Sequence, residues 1–567
     1  MASKLKLYIG RRILDCIGKN ITVTSLQLKP IIQVQSTNSN GVVELAVPLD
    51  QLEGMIGPAN LQLLNSNIKP DDIIENIATI SDQRKGHKNI TFKINKNIFV
   101  KEIVEHCIQP DVATEKQNIV VEFSSPNVAK PFHVGHLRST IIGNFIANLY
   151  EHRKHNVVRL NYLGDWGTQF GFIKVGIEEL KHKVEEIQKN PLKILFESYV
   201  FANKLGEKDP SILERAKQAF NRLEAGSKED LDNWKMCMQY TTKELDSMYQ
   251  RLGVKFNEYN YESMYSAADI KNVLKELDAN KILMTLEDGK RVANVNDRKV
   301  SVVKSDGSTL YLTRDIAAAI DRQKKFSFDK MIYVVDNAQT DHFVALKGIL
   351  GQMKINWVDR LQHVKFGRIR GMSTRKGNVV FLKDILDETR ELTMQRQLKS
   401  LTTKASITDS KTSDILGISC VIINDLKQRR QRDYDFSWDK ALQVQGDSGI
   451  KLQYTHCRLC NLEKNCGILP ASICKPEMIL EPEALRLIGH LAKYPDILSQ
   501  TEEQLEACIL VTYLFHLCNH ISKALKVLNV KDQEAVLASQ RLLLFKNARE
   551  VLRQGMTILG LQPLKEM

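Results

Sequence analysis

The sequence predicts a multidomain chain that is α/β at its centre and all-α at its end. A parallel-sheet domain with a helical insertion follows a small α+β module and precedes a helical bundle. Three observations predict this. The 567 residues exceed what a single hydrophobic core organises. Near residue 118 a strand, a loop, a helix and a second strand succeed one another, a βαβ unit. From about residue 400 onward the apolar spacing is helical, ending in Leu544, Ala548, Val551, Leu552, Gly555, Ile558 and Leu559 on one face.

The first 43 residues carry six Lys or Arg and one acid, Asp15, with Leu5, Ile9 and Ile13 one helical turn apart. Basic, amphipathic and acid-poor, that is the pattern of a mitochondrial presequence over residues 1–18, with the first helix of the N-terminal module as the plain alternative. The module runs to about residue 115, with a strand at Ile90–Ile94 and a helix at Ile98–Ile108. Ile119 to Phe123 reads as a buried strand broken by Ser124-Ser125-Pro126-Asn127. A helix over Leu137–Glu151 follows, then a strand over Val157–Leu163 closed by Gly164-Asp165-Trp166-Gly167. Such a sheet is parallel and Rossmann-like, and its ligands gather at the carboxyl ends of the strands. Residues 172–300 read as a mostly helical insertion. The α/β pattern resumes at Thr309–Leu312, with a helix at Asp315–Lys325, a strand at Met331–Val335, a helix at Phe343–Met353 and a strand at His363–Phe366. The expected divisions are 1–115, 116–400, a junction of helices at 401–445, and 446–567.

Hydrophobic content of 43% and charged content of 26% exclude a disordered chain. Ile509–Phe515, the longest nearly apolar run, is far short of the roughly 20 residues of a membrane helix, so no membrane insertion is expected. A formal charge of +13 favours a polyanionic partner. Ten cysteines without a paired framework suit free thiols in a reducing compartment. Cys457, Cys460, Cys466 and Cys474 invite a zinc reading, but the first two sit within helical spacing with no turn between them. No metal site is expected.

Two nucleotide signatures are absent: no glycines lie at i, i+2, and no G-x-x-x-x-G-K-[ST] run occurs. Phe132-His133-Val134-Gly135-His136-Leu137 offers another device. Two imidazoles at a helix start share a region where backbone N–H groups favour an anion, and Gly135 lets a flat base approach the backbone. Surface histidines on a helix cap are the plain alternative. Gly371-Met372-Ser373-Thr374-Arg375-Lys376-Gly377-Asn378 supplies cations and hydroxyls suited to a pyrophosphate leaving group, or an ordinary basic turn.

Residues 124–140, Ser-Ser-Pro-Asn-Val-Ala-Lys-Pro-Phe-His-Val-Gly-His-Leu-Arg-Ser-Thr, resemble the HIGH-motif region of class I aminoacyl-tRNA synthetases in its arginyl form. Gly164–Gly171, Tyr311–Asp315 and Gly371–Asn378, the last like a degenerate KMSKS loop, are similar to further blocks of that family. Asp433–Trp438 and Leu452–His456 resemble the start of its helical anticodon-binding domain.

The resemblance implies activation of L-arginine by ATP with Mg²⁺ to arginyl-adenylate, then transfer to the 3′ end of tRNA(Arg). His133, His136 and Lys130 would act on the ATP phosphates, with Gly135 against the adenine. Met372 and Ser373 would bind ATP, and Ser373, Arg375 and Lys376 would close on pyrophosphate. In this loop Gly371 and Thr374 stand where the full KMSKS form has lysines. A guanidinium is a fixed fork of donors that pairs with carboxylates. By match to the family Asp315 leads, with Tyr311 beside it and Glu262 and Glu122 as candidates for a second carboxylate. Ser125, Pro126, Asn127, His136 and Gln339 would hold the amino acid's other end. Lys427, Arg429, Arg430 and Arg432 would meet tRNA, with Tyr454 in the anticodon-binding domain, and the module at 1–115 would touch the tRNA elbow.

A monomer of the mitochondrial matrix is the expectation, with a cytosolic form as the alternative. A cysteinyl relative would want a cysteine near the HIGH-like motif, and none lies between Cys107 and Cys237. A catalytically silent RNA-binding relative would be expected to have lost His133, His136 or the basic loop, and all are present.

Overall fold

Leu5, Ile9 and Ile13, one helical turn apart, are buried along the helix Ser3–Asp15. Lys6 on that helix is buried too, its Nζ 2.6 Å from Asp496 Oδ1. The structure, a computed structural model, describes residues 3–17, 22–36, 43–81, 88–108, 115–127, 132, 134–371, 381–398, 410–443 and 446–567. The chain divides into two units, one of Met1–Asp111, Met394–Lys427 and Ala441–Met567, the other of Val112–Thr393 and Gln428–Lys440.

In the first unit β1 (Gln33–Ser36), β2 (Val43–Pro48), β3 (Ile74–Ser81) and β4 (Lys88–Ile94) form an antiparallel sheet in the order β1-β2-β4-β3. The helix Lys96–His106 follows, capped by the Asn95 side chain, which accepts the N–H groups of Asn97 and Ile98. Its far end meets the C-terminal helices: Asn547 Nδ2 donates to Val104 O at 2.6 Å, and the Cys474 N–H donates to Glu105 Oε1 at 3.2 Å. The helix expected from the spacing of Leu5, Ile9 and Ile13 is therefore present over Ser3–Asp15. The apolar stripe of the helix Ser3–Asp15 is spent on this unit's own core, and Lys6 is paired inside it.

The C-terminal part is helical, over Gly449–Asn465, Pro482–Leu491, Tyr494–Gln504, Ala507–Val527 and Ala535–Ile558. Cys457 lies within the first of these helices, its thiol donating to Leu564 O at 3.2 Å and pushed up to about 12 by burial. That is the helical reading of the cysteine pair. Among the described residues no helix is long and apolar enough to cross a membrane.

The second unit is built on a parallel sheet. β5 (Asn118–Glu122) and β6 (Asn156–Leu163) are joined by the helix Val134–His152, the expected βαβ unit. Gly143 on that helix lies so close to the strand's end that a Cβ there would stand 2.2 Å from the Phe123 side chain. Helices fill residues 168–252, and then β7 (Glu258–Tyr261) pairs parallel with β6. The expected single insertion over 172–300 is thus corrected to two excursions separated by a strand of the main sheet. Glu258-Tyr259-Asn260-Tyr261 is a short, polar edge strand, without the apolar run that marks a central one.

The second excursion holds the helix Ala267–Ala279 and a small antiparallel sheet of β8 (Leu283–Thr285), β9 (Arg291–Val295) and β10 (Arg298–Val303). Thr309–Leu312, where the α/β pattern resumes, leads into the helix Tyr311–Phe326, with Leu310 extended as its N-cap. β11 (Lys330–Asp336), the helix Thr340–Gln352 and β12 (Leu361–Phe366) complete the sheet in the order β12-β11-β5-β6-β7. β13 (Ile369–Arg370) and β14 (Tyr434–Asp435) pair in parallel. This pairing divides the junction expected at 401–445. Gln428–Lys440 belongs to the sheet-bearing unit, whereas the helix Ser410–Leu426 belongs to the other.

Candidate active site

From β5 the chain proceeds outward through β6 and β7, then returns on β5's other flank to add β11 and β12. The order reverses between β5 and β11, where diverging connections leave a crevice at the strands' carboxyl ends. The turns after β5, β7 and β11 hold Ser125, Pro126, Asn127, Glu262 and Gln339.

After β5 the backbone turns sharply. Ser124 and Ser125 both take left-handed conformations, at φ 72° and 42°, which cost about 1–2 kcal/mol each for residues with a Cβ. Polar partners hold them there. The Ser124 N–H donates to Ser139 Oγ at 2.9 Å, and Ser139 Oγ donates to Val334 O at 2.7 Å. Ser124 Oγ lies 2.7 Å from the Tyr249 hydroxyl, and Asn161 accepts the Ser125 N–H while donating to Tyr249. The turn presents half-buried Ser125, buried Pro126 and half-buried Asn127. Asn127 bridges to Gly164 and donates to Gln169 Oε1 at 3.0 Å.

Next comes the helix Val134–His152, with Gly135 exposed and His136 half-buried on its first turn. Phe132 stacks on the His136 ring at 5.4 Å. Lys130 and His133 lie outside the described residues, as do Met372, Ser373, Arg375 and Lys376. The segment leading into that second loop is tied to the same helix. Arg138, buried, donates from Nη1 to Gly367 O at 2.5 Å and to Arg432 O at 3.1 Å, over the Tyr434 ring. Sequence reasoning passed over Arg138, although it stands two residues after His136 within the quoted HIGH-like block.

Acidic groups gather on the opposite side. Tyr311 and Asp315, four apart, share a face of the helix Tyr311–Phe326. The Tyr311 hydroxyl borders Gly167, whose φ of 131° suits a residue without a Cβ. Asp315 Oδ2 accepts from His342 Nε2 at 2.7 Å. Glu262 follows β7 on the turn Glu262–Met264, and among the described residues its buried Oε2 has no partner. Burial, then the charges of Asp315 and Asp165, push the Glu262 carboxyl up to about 8, against the pull of Arg314. Asp165 is itself raised to about 6 by burial, although the Ser263 N–H and hydroxyl donate to it at 3.0 and 2.6 Å. Carboxylates that crowd one another in this way favour an incoming cation.

Glu122, the other candidate for a second carboxylate, has a partner within the chain. Its Oε2 is 2.5 Å from Nη1 of Arg322, and both side chains are buried. Arg322 also donates to Asn260 and lies over the rings of Tyr162 and Tyr333 at 4.9 and 5.9 Å. Glu122 Oε1 accepts from Ser125 Oγ at 3.4 Å. A resident guanidinium thus pairs with this carboxylate, which also supports the turn. Gln339, exposed, ends the short turn after β11. No local pattern marks Arg322 or His342, because their partners lie far away in the chain.

The expected basic run is not one solvated face. Arg430 donates to Lys365 O at 2.7 Å and Lys427 to Asp447 O at 3.4 Å, while Arg429 and Arg432 are exposed. Tyr454, on the helix Gly449–Asn465, is exposed.

The family model "tRNA synthetases class I (R), catalytic domain" matches residues 99–438, and "DALR anticodon binding domain" matches 452–567. A probable mitochondrial arginine–tRNA ligase of Homo sapiens is 37% identical over 98% of both chains. The cytoplasmic arginine–tRNA ligase of Saccharomyces cerevisiae is 39% identical over 99% of this chain and 94% of its own. Among solved structures, the arginyl-tRNA synthetase of Plasmodium falciparum superposes with a TM-score of 0.78 at 26% identity, covering 100% of this chain and 98% of its own.

Proposed function

The chain belongs to the arginyl-tRNA synthetases of class I, and from that premise we propose how its residues divide the work. The activity is ligation of arginine to tRNA, with ATP as co-substrate. In the first step a carboxylate oxygen of arginine attacks the α-phosphorus of MgATP in line. The bond from that phosphorus to the bridging oxygen breaks, and pyrophosphate leaves with the electron pair. In the second step a hydroxyl of the terminal ribose attacks the adenylate carbonyl, AMP departs, and the hydroxyl proton is lost to solvent. Neither step forms a covalent enzyme intermediate, so catalysis lies in positioning and charge stabilisation.

His133 and His136 hold the phosphates at the start of the helix Val134–His152, and Gly135 lies against the adenine with Met372. Lys130, Ser373, Arg375 and Lys376 neutralise the departing pyrophosphate. Asp315 and Glu262 receive the guanidinium fork beside the Tyr311 hydroxyl. Ser125, Pro126, Asn127 and Gln339 orient the α-amino end, with His136 between the two substrates. Support for this division rests on one observation: beside Tyr311, Glu262 keeps a buried carboxylate oxygen without a partner among the described residues, while Asp315 stands near enough to raise its pKa. A site that engages each N–H of a guanidinium rejects lysine by roughly 10⁴ or more.

Arg429 and Arg432 meet the tRNA backbone, Tyr454 serves the anticodon end, and the module of residues 1–115 touches the elbow. The chain acts as a monomer. Its place is the mitochondrial matrix, supported by the basic N-terminal segment and the mitochondrial relatives; recovery from the cytosolic fraction alone would refute this. Charging of a tRNA pool with each amino acid in turn tests the reaction. Arginine is expected to be esterified and lysine not; esterification of another amino acid in its place would overturn the assignment.

A further inference from the structure

Asp315 stands on the second turn of the helix Tyr311–Phe326, and a single side chain among the described residues bonds its carboxylate. That side chain is His342, from the first turn of the helix Thr340–Gln352, whose Nε2 lies 2.7 Å from Oδ2. Oδ1 has no hydrogen bond to any described residue. Both side chains are about one quarter exposed, so the pair is reachable from solvent. The backbone before His342 is fixed as well. Asp336 caps the turn Asn337–Gln339 by accepting the Ala338 N–H at 2.7 Å. The next residue, Phe343, is buried between Tyr333 and His363, at 5.0 and 4.3 Å between ring centroids.

We propose that His342 is a positioning residue for arginine recognition, holding one oxygen of Asp315 so that the other is left for a guanidinium N–H. The inference rests on the assignment of Asp315 to arginine made above and adds the group that orients it. A carboxylate with both oxygens free can rotate about its last bond, and a fork-to-fork contact forms only in some of those orientations. The Nε2–H donor removes that freedom before the substrate arrives.

Charge makes the contact sensitive to pH. His342 faces Asp315 from the helix Tyr311–Phe326, Glu122 from β5 and His363 from β12, and its neighbour Asp341 pairs with Arg298 of β10. Asp315 and Glu122 raise the His342 pKa against the opposing effect of burial, which favours an imidazolium in the free protein. A guanidinium on Asp315 repels that charge, so binding favours the neutral ring, which still donates from Nε2. Glu262, facing Asp315, Asp165 and Arg314, titrates near 8 in the free protein and ionises beside a guanidinium. Both groups release protons when arginine binds. Arginine affinity therefore rises with pH up to about 8, by up to about tenfold per unit for each proton released.

Steady-state charging with arginine, by the full-length protein and its variants, tests the role of His342. His342→Ala is expected to raise the arginine KM by about 10- to 100-fold, the worth of a hydrogen bond to a charged group, with kcat and the ATP KM within about threefold. His342→Gln keeps an N–H donor of similar reach and should restore most of the arginine KM. Because Gln does not titrate, its arginine KM should also vary less steeply with pH than the wild type's. An unchanged arginine KM in His342→Ala would overturn the proposal. So would a His342→Gln pH profile that superposes on the wild type. Charging by the wild-type protein, measured in the same assay, distinguishes these outcomes from failure of the reaction assignment itself.

Discussion

Two carboxylate groups at the same end of the sheet are treated in opposite ways. Glu122 is met by Arg322 at 2.5 Å, with both side chains buried and aromatic rings beside the guanidinium. Among the described residues Glu262 and Asp315 make no ion pair with a Lys or Arg. One keeps a buried oxygen without a partner among those residues, and the other has an oxygen bonded by His342. The first arrangement is a closed ion pair, its charge balanced within the chain. The second leaves a carboxylate oxygen open to the forked cation proposed above. On that proposal the same chemistry serves structure in one place and recognition in the other, and what separates them is whether the guanidinium is covalently part of the protein.

The largest expected effect falls on the open side. Asp315→Asn leaves the helix geometry and removes the charge, so kcat/KM for arginine should fall by about 10³-fold, in line with the 3–5 kcal/mol of a broken buried charge contact. The ATP KM should change little. A kcat/KM within tenfold of the wild type would remove Asp315 from the guanidinium site and break the comparison.

On the closed side the loss is one of stability. Arg322→Met strands a buried Glu122 and should cost about 3–5 kcal/mol, read as a lower midpoint in urea. Adding Glu122→Gln should recover a large part of it, because the unpaired charge goes with the carboxylate. If Arg322→Met unfolded at the wild-type midpoint while raising the arginine KM, Glu122 would belong with the open group after all.

Much of this architecture is legible in the sequence because it is local. Ile119-Val120-Val121 reads as a strand buried on both faces, and the helix after it follows from Ile141, Phe145 and Leu149 at helical spacing; both occur as β5 and the helix Val134–His152. β7 was hidden because an edge strand of four residues with two tyrosines and an asparagine has no apolar signature. Thr309–Leu312 has strand-like composition, yet Leu310 is the N-cap of a helix, and only the tertiary fold decides between the two. At the site, Asp315 and Tyr311 were found through a local block. Arg322 and His342 were missed because their partners come from other strands and helices. An Arg322–Glu122 contact spans 200 positions, and no spacing rule reaches that far.

The smallest expected effect extends the same contrast to the basic run. Arg430 is closed in the sense of Arg322, its guanidinium donating to the Lys365 carbonyl, whereas Arg429 and Arg432 are exposed. Each cation that neutralises a phosphate releases roughly one counterion, so log K for tRNA falls with log salt by about 0.7–0.9 per contact. Arg429→Gln combined with Arg432→Gln should therefore lower that slope by up to about two and weaken binding at low salt, with the unfolding midpoint unchanged. Arg430→Gln should do the reverse, lowering the midpoint through the lost carbonyl contact while leaving the slope close to the wild type's. Filter binding across a salt series, run beside urea denaturation, reads both quantities. If Arg430→Gln lowered the slope as much as the exposed pair did, a guanidinium bonded to a backbone carbonyl would still be available to phosphate, and hydrogen bonding within the chain would not be what divides structural from recognising cations here.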